Sequence, residues 1–404
     1  MKKFLIALTL LLGVTTCAGA EPARNLSTSV NAFCWKYFAT LDRKDNIVYS
    51  PYGIHTALSI LANGASGDTR KEILDVLGTD DLDALNDARK TFSAAVKKNY
   101  RGEKVLGEFN LMLINEKIFN RGLDENFKRV ATDVYKSDVR KADFAGNFKA
   151  ESQKISRWVA DKTDGFVTNF HPTSSPNAQV DIFNLVYFNG KWAVPFKAAN
   201  TREDNFANLD GSRGKVFMMN NVFKGAIAYR ADDKFKGIAL PYTSNAAMYL
   251  ILPVDDNALN VAEMWNAETF DYREKFLDAL KNAPAFDGEV VVRMPNSVFE
   301  FEYNIIEKFW NLGIHRAFTD AAEFNIIKNT PLKISSANTY TKIDISEEGT
   351  EAAAVTEITM VGATAMPNQR PPRKVYFIAD RPFLFVIRDV ESGVILFAGV
   401  MNKF

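Results

Sequence analysis

Cysteine and histidine are scarce: Cys17 and Cys34 are the only thiols, and His55, His171 and His315 the only imidazoles, among 404 residues. Two thiols, one of them in a leader-like N-terminus, exclude an internal disulfide framework, so packing must hold the fold. Cys34 lies in the amphipathic run NAFCWKYF and reads as a buried apolar thiol. The histidines are far apart and lack metal-ligand spacing, and His55 reads as a packed or capping side chain. There is no Walker loop, dinucleotide fingerprint or H-E-x-x-H, and Gly64-Ala65-Ser66-Gly67 is not a nucleophile elbow. No metal, cofactor or enzymatic centre is therefore expected. A charge bias is lacking as well: 49 basic and 49 acidic side chains argue against a general nucleic-acid or acidic-membrane binder. Lys97, Lys98, Arg101 and Lys104 would make a small patch for weak polyanion binding, but the acids nearby favour a solvated helix face.

What is present begins with an export signal. Met1-Lys2-Lys3 is a short basic region, FLIALTLLLGV an apolar core too short to span a bilayer, and Ala18-Gly19-Ala20 a small-x-small pattern before Glu21. Residues 1–20 are read as a signal peptide and 21–404 as one domain, secreted and monomeric. A lipid anchor on Cys17, at the cell surface or in a periplasm, is the rival route, because Val14-Thr15-Thr16-Cys17 loosely resembles a lipoprotein box. No second apolar run of about 20 residues follows.

The first half reads as helical and the second as strands. A helix is expected over 27–45 and a short strand over Asn46–Tyr49. Ser50-Pro51 then gives an N-cap with proline in the first helical position. Ile54, Ala57, Leu58 and Leu61 fall on one face, Asn63-Gly64 ends that helix, and Thr69 to Glu72 reads as a capping box for the next. Helical patterns continue to about 135, broken by a strand near Phe109–Ile118. From about 180, runs such as VDIFNLVYF, AAMYLILP and PFLFVIRDVESGVILFAGVM read as strands, with helices near 259–281 and at NIIEKFWNLG before Gly313. Helices first and strands later predict an α+β chain with a large, mostly antiparallel sheet system.

One stretch fits no ordinary element: EEGTEAAAVTEITMVGATAMP, Glu347 to Pro367. Read with a period of two, Thr350, Ala352, Ala354, Thr356, Ile358, Met360 and Gly362 share one face. Glu351, Ala353, Val355, Glu357, Thr359 and Val361 share the other, which carries both charges. Proline is absent until Pro367 and then appears three times. Small side chains suit an exposed, protease-accessible loop; the alternation suits an interior strand.

EEGTEAAAVT resembles the reactive-loop hinge of the serpins, and the hinge is Glu347, Glu348, Gly349, Thr350, Glu351, Ala352, Ala353 and Ala354. NIVYSPYGIHTALSILANGASGDT resembles the family's second-helix region. FNLVYFNGKWAVPFKAANTREDNF, with Asn184, Gly190, Lys191, Trp192, Phe196, Thr201 and Phe206, resembles its strand and gate motif. NLGIHRAF and DRPFLFVIRDVESGVILFAGVMN resemble its helix-end and C-terminal strands, so the likeness runs from about residue 28 to Phe404. It implies a serpin fold, about nine helices around three mostly antiparallel β-sheets, with an exposed reactive-centre loop over about 347–374. It also implies a suicide-substrate inhibitor of serine proteases, and in some members of cysteine proteases. The family's hinge length places the reactive bond at Ala363–Thr364; a slip of one or two residues would move it to Gly362, Thr364 or Ala365. All are small, which suits an elastase-like or subtilisin-like target, whereas Arg370 precedes proline and lies beyond the hinge's reach. A non-inhibitory binding or storage protein with the same fold is the alternative. The chain departs from the pattern at Thr339, often histidine in the family, and in a longer stretch between Ala363 and Arg381.

Overall fold

A computed structural model describes residues 20–42, 44–100, 105–146, 148–254, 270–349 and 372–404. The chain opens with helix α1 (Ala20–Phe38), strand β1 (Ile47–Tyr49), α2 (Pro51–Gly64), α3 (Gly67–Leu77) and α4 (Leu82–Asn99). Next come β2 (Leu106–Asn115), α5 (Glu116–Phe119), α6 (Glu125–Asp133), β3 (Asp138–Ala142), α7 (Phe148–Lys162) and β4 (Val180–Phe188). Five strands follow: β5 (Arg202–Ala207), β6 (Arg213–Lys224), β7 (Ala228–Ala231), β8 (Phe235–Pro241) and β9 (Ala246–Pro253). The last part holds α8 (Phe270–Lys281), β10 (Glu289–Pro295), β11 (Ser297–Asn304), α9 (Ile306–Leu312), β12 (Ile334–Ile345), β13 (Lys374–Ile378), β14 (Phe383–Asp389) and β15 (Ile395–Met401). The described residues thus form nine α-helices and three sheets.

The six-stranded sheet, β1-β15-β14-β9-β8-β7, is antiparallel throughout. A four-stranded sheet has the order β13-β10-β6-β5, and a five-stranded sheet the order β11-β12-β4-β2-β3. In the last of these, β12 and β4 run parallel in the middle of the sheet, from Ile334 beside Val180 to Ile343 beside Phe188. All nine residues of β4 are buried, which explains its near-continuous apolar sequence. Its even-numbered side chains, Val180, Ile182, Val186 and Phe188, join the main core. Phe183, Leu185 and Tyr187 join a second, thinner core beneath α7.

Helix α2 is built as its sequence predicts. The Ser50 hydroxyl accepts from the Gly53 N–H at 3.0 Å, Pro51 fills the first position, and Ile54, Ala57, Leu58 and Leu61 are buried. The start of α3 differs from expectation. Thr69 and Glu72 form no capping box; the N-cap is Ser66 and the helix begins three residues earlier, at Gly67. The Asp68 and Thr69 N–H groups donate to the distant Glu323 carboxylate at 2.9 and 3.4 Å, and Glu72 accepts from the His315 and Arg316 N–H groups. Helix α1 also sits earlier than expected, ending at Phe38, where the Thr40 hydroxyl donates to the Tyr37 carbonyl. Gly313 ends α9 in the left-handed conformation at φ 103°. Cys34 is buried against Tyr49, and burial pushes its thiol far up from the usual range.

Candidate functional site

The site is the seam between β12 and β4 with the turn above it. Past β12 the chain turns back through Ser346-Glu347-Glu348-Gly349. The Ser346 N–H donates to the Gly349 carbonyl at 2.7 Å, and the Gly349 N–H to the Ser346 carbonyl at 3.3 Å. That reciprocal exchange marks a hydrogen-bonded antiparallel pair. On its other side Gly349 bridges antiparallel to Lys191, three residues beyond the end of β4. Gly349 therefore already lies between the continuation of β12 and the continuation of β4, as the first residue of a strand between them would.

Glycine is required there. The φ of +139° is one that L side chains rarely adopt, and a Cβ would stand 2.2 Å from the Gly190 carbonyl oxygen. Glu347 is held on every side. Thr201 Oγ1 donates to one carboxylate oxygen at 2.6 Å and Asn296 Nδ2 to the other at 2.8 Å, while the Phe196 N–H donates to its carbonyl at 2.7 Å. The Trp192 N–H donates to the Glu348 carbonyl at 3.0 Å, and its indole N–H to the Ser346 carbonyl at 2.9 Å. Trp192 is buried, stacked on Tyr242 at 4.4 Å and edge-on to Phe196. The sequence motif thus converges here through Gly190, Lys191, Trp192, Phe196 and Thr201. Phe206 stands apart, packed in the core against Phe404 and Phe383.

Asn184 lies lower, inside the seam and opposite Thr339. Its amide donates to Asn110 Oδ1 on β2 at 2.8 Å and accepts a long 3.5 Å contact from the Thr339 hydroxyl. Gly53 lets α2 approach this point, since a Cβ there would sit 2.3 Å from Asn184 Oδ1. The opposite face of the seam is covered by the connection from α7 to β4. Phe170 packs edge-on to both Phe183 of β4 and Tyr340 of β12, at 5.9 and 5.7 Å, and Lys342 Nζ donates to the Phe166 carbonyl at 2.7 Å. On that face Asp181 is wholly buried and neither carboxylate oxygen has a hydrogen-bond partner; burial pushes its pKa up to about 6.

Thr350, Glu351, Ala352, Ala353, Ala354, Ala363, Thr364, Cys17, Arg101 and Lys104 lie outside the described residues. Lys97 and Lys98 close the last turn of α4. His55 is buried between Ser29 and Ser59, and burial lowers its pKa to about 3. The Ser29 hydroxyl donates to the Leu77 carbonyl at 2.6 Å, so its proton is not directed at the imidazole. His171 lies near Ser156, and His315 packs tilted against Trp310. Sequence reasoning missed Asn296, Asn110, Tyr242 and Asp181. For Asp181 a signal existed, a lone carboxylate inside VDIFNLVYF, where an unpaired charge is costly.

A family model described as "Serpin (serine protease inhibitor)" matches residues 28–403. The chain belongs to the serpin family. Members of that family are generally protease inhibitors rather than catalysts. Among curated relatives, serpin-Z1C of Triticum aestivum is 30% identical over 369 residues, covering 88% of this chain and 89% of the relative. Iripin-1 of Ixodes ricinus is 28% identical over 397 residues, covering 95% and 96%. Among solved structures, the thermophilic serpin tengpin in its native state superposes with a TM-score of 0.79 at 27% identity, covering 93% of each chain. Human thyroxine-binding globulin superposes at 0.78 with 24% identity, covering 95% of this chain and all of that one, a likeness of fold alone.

Proposed function

We propose that this serpin is a suicide-substrate inhibitor of serine proteases, in which the cleaved reactive loop enters the β4–β12 seam as a new strand. The observation that carries the reading is the turn at Ser346–Gly349. Continued down β12, its register sets Ile345 beside Thr350, Ile343 beside Ala352, Thr341 beside Ala354, Thr339 beside Thr356 and Ser336 beside Thr359. Continued down β4 from the Lys191–Gly349 bridge, it sets Phe188 beside Ala352, Asn184 beside Thr356 and Asp181 beside Thr359. Both counts agree with the present pairing of Thr339 with Asn184 and Ser336 with Asp181.

That register places the uncharged face, Thr350 to Ile358, toward the main core, with Ile343, Ile345 and Ala337. Alanine and threonine enter there with little repacking and no buried charge. Both new contacts would be antiparallel, in place of one parallel pair. β12 has 12 residues, so the register runs out near Val361, and a bond at Ala363–Thr364 would be carried to the far end of the sheet. About 14 residues at roughly 3.3 Å each span some 45 Å. An acyl-enzyme attached there would be stranded if its oxyanion hole and triad were distorted, because deacylation needs the geometry that acylation used. The uninserted state is then held kinetically.

The small residues around Ala363 favour an elastase-like or subtilisin-like target. Residues 1–20 are proposed to direct secretion, with Cys17 lipidation as the rival route, and 21–404 to act as one domain and a monomer. The test is incubation with a small-residue-specific elastase, then a denaturing gel and mass analysis of the released C-terminal peptide. A band at the summed mass and a peptide beginning at Thr364 are expected. Loop cleavage by both elastase and subtilisin without such a band would point to the non-inhibitory alternative.

A further inference from the structure

Arg89 of α4 is almost wholly buried, and its guanidinium donates to the carboxylate of Glu108 on β2, the strand that flanks β4. The guanidinium carbon lies 4.3 Å from the ring centroid of Tyr52, at the start of α2, and 6.0 Å from that of Tyr135, just beyond α6. One cation thus joins three helical segments to β2. A buried pair of this kind is costly to break from one side, so it holds its two elements in one relative position.

Glu108 also heads a row of side-chain hydrogen bonds that ends across the seam. The Asn110 amide nitrogen donates to Glu108 at 3.3 Å, and the Asn184 amide nitrogen donates to Asn110 Oδ1 at 2.8 Å. The Thr339 hydroxyl makes its 3.5 Å approach to Asn184 Oδ1. Asn110, Asn184 and Thr339 are all buried. An amide can be turned either way, whereas a carboxylate only accepts. With Glu108 in place, Asn110 must turn its nitrogen there and its oxygen to Asn184. Asn184 must then turn its nitrogen to Asn110 and its oxygen to Thr339. Both orientations follow from one charge, and the members of the row polarise one another. We propose that the Arg89–Glu108 pair anchors this row, so that α4 holds the β4 side of the seam in the orientation that keeps β12 paired. Glu108 is then a positioning residue, acting on the seam through Asn110 and Asn184. This deepens the insertion reading above, as a control on how readily the seam parts.

Hydrogen–deuterium exchange of the intact, uncleaved protein tests it, read on peptides from β4 and β12 and, for comparison, from β14 and β15. Glu108→Gln keeps the shape, lets Asn110 turn and removes the charge beside Arg89. Amides of β4 and β12 should exchange about ten-fold faster or more in that variant, with those of β14 and β15 changed by less than about two-fold. Asn110→Val leaves the ion pair in place, cuts the row and should speed the same seam peptides. The double variant should be no faster than the faster single one, because both act through one row. Arg388→Met, which breaks buried contacts to Glu274 and Asp278 behind the six-stranded sheet, controls for a general loss of stability and should show no preference for the seam. If Glu108→Gln does not fold, Glu108→Asp, which draws the carboxylate back from Asn110, takes its place with the same expectation. Acceleration spread evenly over both sheets, unchanged exchange at the seam, or additive effects in the double variant would overturn the anchor. No protease or cleavage is involved, so that result would leave insertion standing, and a failure of insertion would leave the anchor standing.

Discussion

Asp181 brings a carboxyl group into a strand whose other eight residues are buried, and it has no hydrogen-bond partner. Its pKa of about 6 lies above the usual carboxylate value, so the folded state binds a proton that the unfolded chain has released. The stability it contributes is therefore fully present below about pH 4 and is lost as pH rises through 6. Asp181→Asn should gain on wild type over that interval, by on the order of 2 kcal/mol above pH 7, read from denaturant melts at several pH values. A constant difference across pH 4–8 would refute the assignment. Gly349 is constrained differently, by a φ of +139° and a 2.2 Å approach of the Gly190 carbonyl. Gly349→Ala should cost about 2 kcal/mol or more and loosen the turn. An unchanged melting temperature would show that the turn relaxes freely.

Elements carry the next constraint, since a strand entering the seam must match its neighbours face by face. In the proposed register Thr350 lies beside Ile345, which is buried in the main core. Thr350→Arg would force a guanidinium into that core, so the variant should be cleaved as a substrate with complex yield reduced at least ten-fold. An undiminished yield on a denaturing gel would contradict the register. The period-two split of Thr350 to Met360 predicts this element without tertiary information, and its residues lie outside those the structure describes. The sequence announces α2 well, through Ser50 and Pro51. It does not announce the start of α3, where the partner is Glu323, more than 250 residues away. Helix α7 escaped the reading because only Ile155 and Val159 of its 15 residues are buried, too few for a periodic signal. The gate motif was legible as a resemblance, but Asn296, which holds Glu347, came from a strand boundary with no local cue.

At the scale of the molecule, the main core takes residues from Leu26 to Met401, while the core under α7 is thin and separate. Both seam strands line both cores, so the proposed insertion would repack each of them. Phe170 and the Lys342–Phe166 contact attach the covering connection to both strands, and the proposed insertion requires them to yield transiently. Under the proposed insertion, a protein cleaved in the loop without a protease attached should melt well above the intact one, because the seam would gain two antiparallel contacts in place of one parallel pair. A cleaved form that melts at or below the intact temperature would deny that gain. The most direct test is hydrogen–deuterium exchange of the cleaved protein, followed over residues 350–361. Insertion predicts that these amides become as protected as those of β4, with protection extending to Val361 and no further than the sheet. Rapid exchange throughout 350–361 after cleavage would mean that the loop stays outside the sheet, and the account would fail.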